Sequence, residues 1–176
     1  MTKALIISDN HGDRSILETI VNGWQNKVDL LIHCGDSEIS ADDPLMQKFI
    51  RVAGNNDWHL GYPDNQEQVV GGQKFFVTHG HRYQVNFSMT PLMLKGESVG
   101  ADVVCFGHTH QLAATMAQGM LLVNPGSISL PRGQYANIGG TFAIVEATDQ
   151  RFVVDFYNRQ SVVQKELHQE FTRKEQ

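Results

Sequence analysis

The chain has 176 residues, 41% hydrophobic and 19% charged, with 16 glycines and a net charge of -5. That length fits one domain able to bury about 70% of its extended surface. The acidic balance disfavours extended nucleic acid as a partner, because neutralising a run of phosphates takes clustered Lys and Arg, and no apolar stretch approaches the ~20 residues of a membrane span.

The chain opens Met1-Thr2-Lys3 and enters an apolar run at once, without an h-region, which predicts a cytoplasmic protein. Residues 3–8, KALIIS, stop at Asp9-Asn10-His11-Gly12, as a buried strand meeting a loop does. Ile16, Leu17, Ile20, Val21 and Trp24 then recur at helical spacing behind Asp13, an N-cap candidate. Residues 29–33, DLLIH, predict a second strand that ends at Cys34-Gly35-Asp36. Asp43-Pro44 predicts a short helix with Pro in its first turn, and residues 49–53 lead into Gly54-Asn55-Asn56-Asp57.

Next, EQVV, Gly71-Gly72 and QKFFV read as a hairpin with a two-residue turn, ending at Thr78-His79-Gly80-His81. Residues 89–100 predict a helix with Pro91 in its first turn, and residues 103–106 a strand before Gly107-His108-Thr109-His110. Residues 112–115, 120–123, 141–147 and 151–157 predict further strands separated by polar, glycine-bearing or proline-bearing turns. The two cysteines, Cys34 and Cys105, lie in apolar runs, so buried free thiols are expected rather than a redox pair or a thiolate metal site.

Alternating strands and helices followed by consecutive strands predict an α/β fold, a four-layer αββα sandwich of two packed mixed β-sheets flanked by helices. One domain is expected over residues 1–160. The polar residues 161–176 are expected as a short exposed helix or a frayed tail.

Five loops share one property: each follows a predicted strand and carries potential metal ligands. Loops at one end of the strands of a layered α/β protein converge on a single crevice, so all five can build one site. Asp9 with His11, His79 with His81, and His108 with His110 have the i, i+2 spacing that turns side chains to the same side of an extended segment. A lone H-x-H also occurs in ordinary turns; the weight rests on the set.

D-x-H, GD, GN-x-D, a later H-x-H and a final GHTH, in this order, resemble the calcineurin-like metallophosphoesterase superfamily over residues 3–160. The short chain and the asparagines of GNND resemble its small prokaryotic phosphodiesterase branch, which is similar in fold to the retromer vacuolar-sorting subunit. The resemblance implies that Asp9, His11 and His110 hold one divalent metal ion, that Asn55, His79 and His108 hold a second, and that Asp36 bridges them. It favours manganese, while imidazole, carboxylate and amide donors without thiolate also suit nickel, iron or zinc. Two such ions can clamp an in-line displacement at phosphorus. The implied activity is hydrolysis of small phosphodiesters by a hydroxide bridging the two ions, with Asp36, Asn55, Asn56 and His81 as the catalytic set.

Asn56 stands where many members of the superfamily have a histidine. An amide does not titrate, so general-acid help worth about 10² to 10⁴ in rate must come from elsewhere or be absent. Diesters with acidic leaving groups are therefore expected to turn over better than alkyl monoesters. His81 is the preferred substitute acid over His59, because its side chain should point along with that of His79. The competing readings are a catalytically weak metal-binding scaffold of the same fold and a phosphomonoesterase.

Other residues carry two readings each. Asp57 orients Asn55 or Asn56, or caps a turn. Arg132, in NPGSISLPRG, reaches a substrate phosphate or lies exposed on a turn. Trp58, Tyr62, Tyr83 and Phe87 stack on a nucleobase or are core or interface residues. His33 is expected as a satisfied near-core histidine, and Phe87, Met89 and Met93 permit a homodimer or tetramer.

Overall fold

The computed structural model describes residues 1–173. In chain order the elements are β1 (Thr2–Ile7), α1 (Arg14–Trp24), β2 (Leu30–His33), β3 (Ile50–Arg51), β4 (Asn65–Val70), β5 (Gln73–Thr78), α2 (Thr90–Ser98), β6 (Val103–Cys105), β7 (Leu112–Ala117), β8 (Met120–Pro125), β9 (Thr141–Ala147), β10 (Arg151–Asn158) and β11 (Gln169–Thr172). They form a six-stranded sheet in the order β11-β10-β9-β1-β2-β3 and a five-stranded sheet in the order β4-β5-β6-β8-β7. β1, β2 and β3 run parallel, as do β5, β6 and β8, and the remaining pairs are antiparallel.

The two-residue period of β-strands builds the layers. Ala4 and Ile6 of β1, Ala143 and Val145 of β9, and Val103 and Cys105 of β6 fill the space between the sheets. Their alternates face outward into other cores. Leu5, Ile7, Phe142 and Ile144 pack on Ile16, Leu17, Ile20 and Val21 of α1, while Phe76, Val104 and Leu122 pack on Leu92 of α2. This is the expected αββα sandwich. Asp13 caps α1 by accepting from Ile16 N at 3.2 Å, and Pro91 lies in the first turn of α2.

Gly71 and Gly72 take φ of 58° and 79°, the left-handed pair that a two-residue hairpin turn demands. Both cysteines are buried free thiols, and burial raises their pKa values. Among the described residues, no helix is long and apolar enough to cross a membrane.

Two expectations are corrected. Asp43-Pro44 opens no α-helix, only the single 3-10 turn Met46–Lys48, because Phe49 swings to an extended conformation and buries its ring beneath α1. The stretch after Ser161 is neither an exposed helix nor a frayed tail: a 3-10 turn, Lys165–Leu167, leads into β11, which pairs with β10 from Arg151↔Thr172 to Val154↔Gln169. The alternation in Gln-Glu-Phe-Thr drives this pairing, with Leu167 and Phe171 packing against the core between the sheets. The six-stranded sheet thus continues past residue 160, and residues 174–176 lie outside those described.

Candidate metal centre

The loops that carry the candidate ligands leave the carboxyl ends of the parallel strands: Asp9 and His11 after β1, Asp36 after β2, Asn55 after β3, His79 after β5, His108 and His110 after β6. They meet at one end of the two sheets, at the type of crevice where layered α/β proteins bind ligands. Strand alternation is not what aims them. Asp9, His11, Asp36, His108 and His110 have φ of 57°, 45°, 52°, 69° and 60°, so these side chains leave left-handed turns rather than extended backbone. Each such non-glycine residue costs of order 1–2 kcal/mol, a strain that persists only where the surroundings hold it. Hydrogen bonds between loops maintain it: Asp9 N donates to Gly35 O (3.1 Å), His11 N to Asp36 O (3.1 Å), and Gly107 N to His79 O (3.0 Å).

The glycines of the GN and GH pairs have a steric reason. A Cβ on Gly54 would overlap Asp36 Oδ1, and one on Gly107 would overlap Ser8 Oγ and crowd Asp9 Oδ2. Only a bare backbone lets these loops approach the carboxylates so closely.

Two groups of donor atoms result. In Asp9, His11 and His110, and again in Asp9, Asp36 and His79, the ligand atoms lie within 4.8 Å of one another. Asn55 Oδ1 extends the second group, at 3.2 Å from His79 Nε2 and 3.0 Å from His108 Nδ1. All seven expected ligands are therefore brought together. His108 and His110, two positions apart, diverge: the first faces Asn55, the second faces Asp9 across 3.2 Å.

The tautomers support cation binding. His79 Nδ1–H donates to Cys34 O at 2.6 Å, His110 Nδ1–H to Leu130 O at 2.7 Å, and His11 Nδ1–H to Glu38 Oε1 at 2.7 Å. In its neutral form each ring then turns an unprotonated Nε2 inward, as metal-ligating histidines do. Asp9 Oδ1 is buried without a hydrogen bond, although Nε2 atoms of His110, His79 and His11 stand 3.2, 3.9 and 4.0 Å away. An orphaned carboxylate oxygen ringed by three imidazole lone pairs is a seat for a cation; these residues fit divalent metal ions, and the donor set does not choose among them.

The carboxylates are tuned apart. Burial pushes the Asp9 carboxyl up, but the His110 imidazole 3.2 Å from Oδ1, the charge of His79 and the hydrogen bond from Ser8 to Oδ2 outweigh it, leaving Asp9 below the usual range. For Asp36 burial prevails over the charge of His79 and the Asn56 backbone N–H, and the value is raised. Burial and the neighbouring charges of His79 and His108 push His81 down to about 4, and burial also lowers His108.

Asn56 directs both amide hydrogens to carboxylates, Asp36 Oδ2 at 3.1 Å and Glu38 Oε1 at 3.3 Å, while its backbone N–H donates to Asp36 Oδ1. His81 begins a 3-10 turn with its ring 5.3 Å from that of His79, and its Nδ1 is buried without a partner. Asp57 orients backbone rather than the asparagine side chains, accepting from Gly54, Ser37 and Glu38 N–H groups. Arg132 is exposed, its backbone N–H donating to His110 O. Tyr62 and Tyr83 pack into the cores, whereas Trp58 and Phe87 stay exposed.

Several supporting residues escaped the sequence reading. Glu38 holds His11, and Ser127 Oγ donates to Asp9 O (2.8 Å). Asn124 Nδ2 donates to Gly107 O (2.9 Å), so the NPGSIS segment buttresses the site rather than merely turning. Motif spacing held no signal for these contacts.

His33, fully buried, ties two ligand loops together: its Nδ1 accepts from Gly35 N at 3.1 Å and its Nε2–H donates to Asn10 Oδ1 at 2.9 Å. Burial pushes its pKa down to about 4, so it stays neutral. His33→Leu strands a donor and an acceptor and should cost about 2–4 kcal/mol, read from urea denaturation, with His33→Gln losing less. An unchanged midpoint for the leucine variant would deny this tie.

The Calcineurin-like phosphoesterase superfamily domain matches residues 2–150. Probable metallophosphoesterase YsnB of Bacillus subtilis is 37% identical over 155 residues, covering 88% of this chain and 90% of that protein. Phosphodiesterase MJ0936 of Methanocaldococcus jannaschii is 29% identical over 142 residues, 69% of this chain and 81% of that one. A conserved Streptococcus pneumoniae protein, described as a predicted phosphoesterase, superposes with a TM-score of 0.93 at 37% identity, covering 98% of both chains. Vacuolar Protein Sorting 29 from Cryptosporidium parvum shares the fold, with a TM-score of 0.76 at 17% identity over 98% of each chain.

Proposed function

The chain belongs to the calcineurin-like phosphoesterase superfamily, and on that premise we propose that it is a phosphodiesterase, hydrolysing small phosphodiesters at a centre for two divalent cations. Asp9, His11 and His110 would hold one cation, Asn55, His79 and His108 the other, and Asp36, grouped with His79, would bridge them beside the Asp9 carboxylate that belongs to both donor groups. The observation that carries this reading is the buried, unpaired Asp9 Oδ1 with three imidazole nitrogens around it. When bound, such a pair supplies Lewis acidity at phosphoryl oxygens and lowers the pKa of water. Manganese is the preferred metal of this reading.

The chain's own residues set the geometry. Glu38, Cys34 O and Leu130 O orient three of the imidazoles, and Asn56 clamps Asp36. Because Asn56 commits both amide hydrogens to carboxylates, it has none to offer a departing oxygen. Leaving groups that depart as stable anions suit this site, which favours activated diesters over alkyl monoesters. The name of the Methanocaldococcus relative, a phosphodiesterase, points the same way. The cytoplasm, where buried thiols stay reduced, is the setting we assign.

A second reading, a metal-binding scaffold, draws on the shared fold with Vacuolar Protein Sorting 29. The retention of donor side chains at all seven ligand positions favours catalysis. To test it, the protein is stripped of metal, given Mn²⁺, Ni²⁺, Zn²⁺ or Mg²⁺ singly, and assayed on bis(4-nitrophenyl) phosphate and 4-nitrophenyl phosphate. Metal-dependent turnover of the diester, about 10- to 100-fold above the monoester, is expected. Absence of diester turnover with every metal would favour the scaffold.

A further inference from the structure

Beside the ligand cluster the surface dips into an open recess of about 400 Å³ lined by Glu38, Asn56, His59 and Leu60. Two of its walls belong to the metal centre: Glu38 Oε1 is 2.7 Å from His11 Nδ1, and Asn56 Nδ2 is 3.1 Å from Asp36 Oδ2. A diester with its phosphate at the cluster has one ester arm within reach of this recess. The lining offers a carboxylate, an amide, an imidazole and an isobutyl group, with neither Lys nor Arg among the described residues. Trp58, 83% exposed, stands edge-on to the lining residue His59 with ring centroids 5.1 Å apart. Among the described residues, Trp58 belongs to none of the three hydrophobic cores.

Resting on the phosphodiesterase reading, we propose that this recess is a substrate subsite that takes an uncharged ester arm bearing a planar or apolar group and rejects an arm carrying a second phosphate. An indole and a leucine give a planar group surface to cover, and stacking on an aromatic face is tolerant of the group's identity. A second phosphate in the recess would meet the Glu38 carboxylate with no side-chain cation to offset it. Two like charges about 6 Å apart at a wet surface penalise binding by about three- to tenfold, and salt screens the effect.

The probes are thymidine 5′-(4-nitrophenyl phosphate) and the same compound phosphorylated at its 3′ oxygen. With the Mn²⁺-loaded enzyme at low ionic strength, the added phosphate should raise KM by about three- to tenfold, a gap that 1 M salt closes. His59→Lys, which touches no ligand, should abolish or invert the preference, and Trp58→Ala should raise KM for the unphosphorylated diester with kcat little changed. Quenching of Trp58 fluorescence by the same two compounds, with Trp58→Phe as the blank, reads binding whether or not turnover occurs. Equal KM values and equal quenching constants, in wild type and His59→Lys alike, would overturn the subsite. A preference in the quenching titration without turnover would uphold the subsite and remove the phosphodiesterase reading instead.

Discussion

Replacing Asp36 by asparagine is expected to lower metal-dependent diester turnover by about a thousandfold, the loss of roughly 4 kcal/mol of transition-state stabilisation. The carboxylate is 2% exposed, and its Oδ2 lies 3.6 Å from His79 Nε2. Both oxygens accept from Asn56, Oδ1 from the backbone N–H at 2.9 Å and Oδ2 from the amide at 3.1 Å. Asparagine keeps the shape but removes the charge that a pair of cations needs. It also turns an NH₂ group towards one of these donors, leaving a buried hydrogen bond unmade. Metal content after desalting should fall together with rate. Near-normal kcat on bis(4-nitrophenyl) phosphate with a full metal complement would refute the placement of Asp36 between the two cations.

Loading the stripped protein with Mn²⁺ at about a thousand times its Kd should raise Tm by roughly 8–16 °C, since mass action then contributes about 4 kcal/mol and a chain of this size shifts about 2–4 °C per kcal/mol. The gain should depend on pH. In the metal-free protein burial pulls the His110 pKa down, but the Asp9 carboxylate 3.2 Å away outweighs it, so the net value is raised. That interaction stabilises the metal-free fold fully below the unfolded histidine value near 6.5 and is lost as pH rises through the raised folded value. Asp9 contributes in the opposite direction: its pKa is lowered, so its share is present above its ordinary value of 3.8 and vanishes as pH falls through the folded one. A cation at this site must displace the His110 proton, so affinity should weaken by up to about tenfold for each pH unit below that pKa. Differential scanning fluorimetry at pH 6, 7 and 8 checks this. A Tm gain that is the same at all three values would show that no proton competes with the metal there.

The element order and the loops that carry the candidate ligands were legible in the residues because short apolar runs ending in polar loops mark buried strands, and such strands emit their loops at a common edge. The hairpin at Gly71-Gly72 and the cap at Asp13 followed from local chemistry alone. Other features were not local. The edge strand Gln169–Thr172 reads as polar tail until Leu167 and Phe171 find the core between the sheets. Phe49 halts a helix after one turn for the same kind of reason, since burial of a ring outweighs the propensity of the few residues before it.

The candidate site divides along the same line. Residue type, order and spacing determined which side chains can ligate a cation, that no thiolate takes part, and that Asn56 brings no titratable proton. Only the tertiary structure decided how they are aimed. Left-handed turns at Asp9, His11, Asp36, His108 and His110 send His108 and His110 to different donor groups, where alternation along a strand would have sent them together. Glu38, His33, Asn124 and Ser127 came into view only there, because hydrogen bonds between loops far apart in the chain leave no periodic trace in it. Ligand chemistry is a property of single residues, whereas the direction of a side chain depends on backbone angles that neighbouring loops impose.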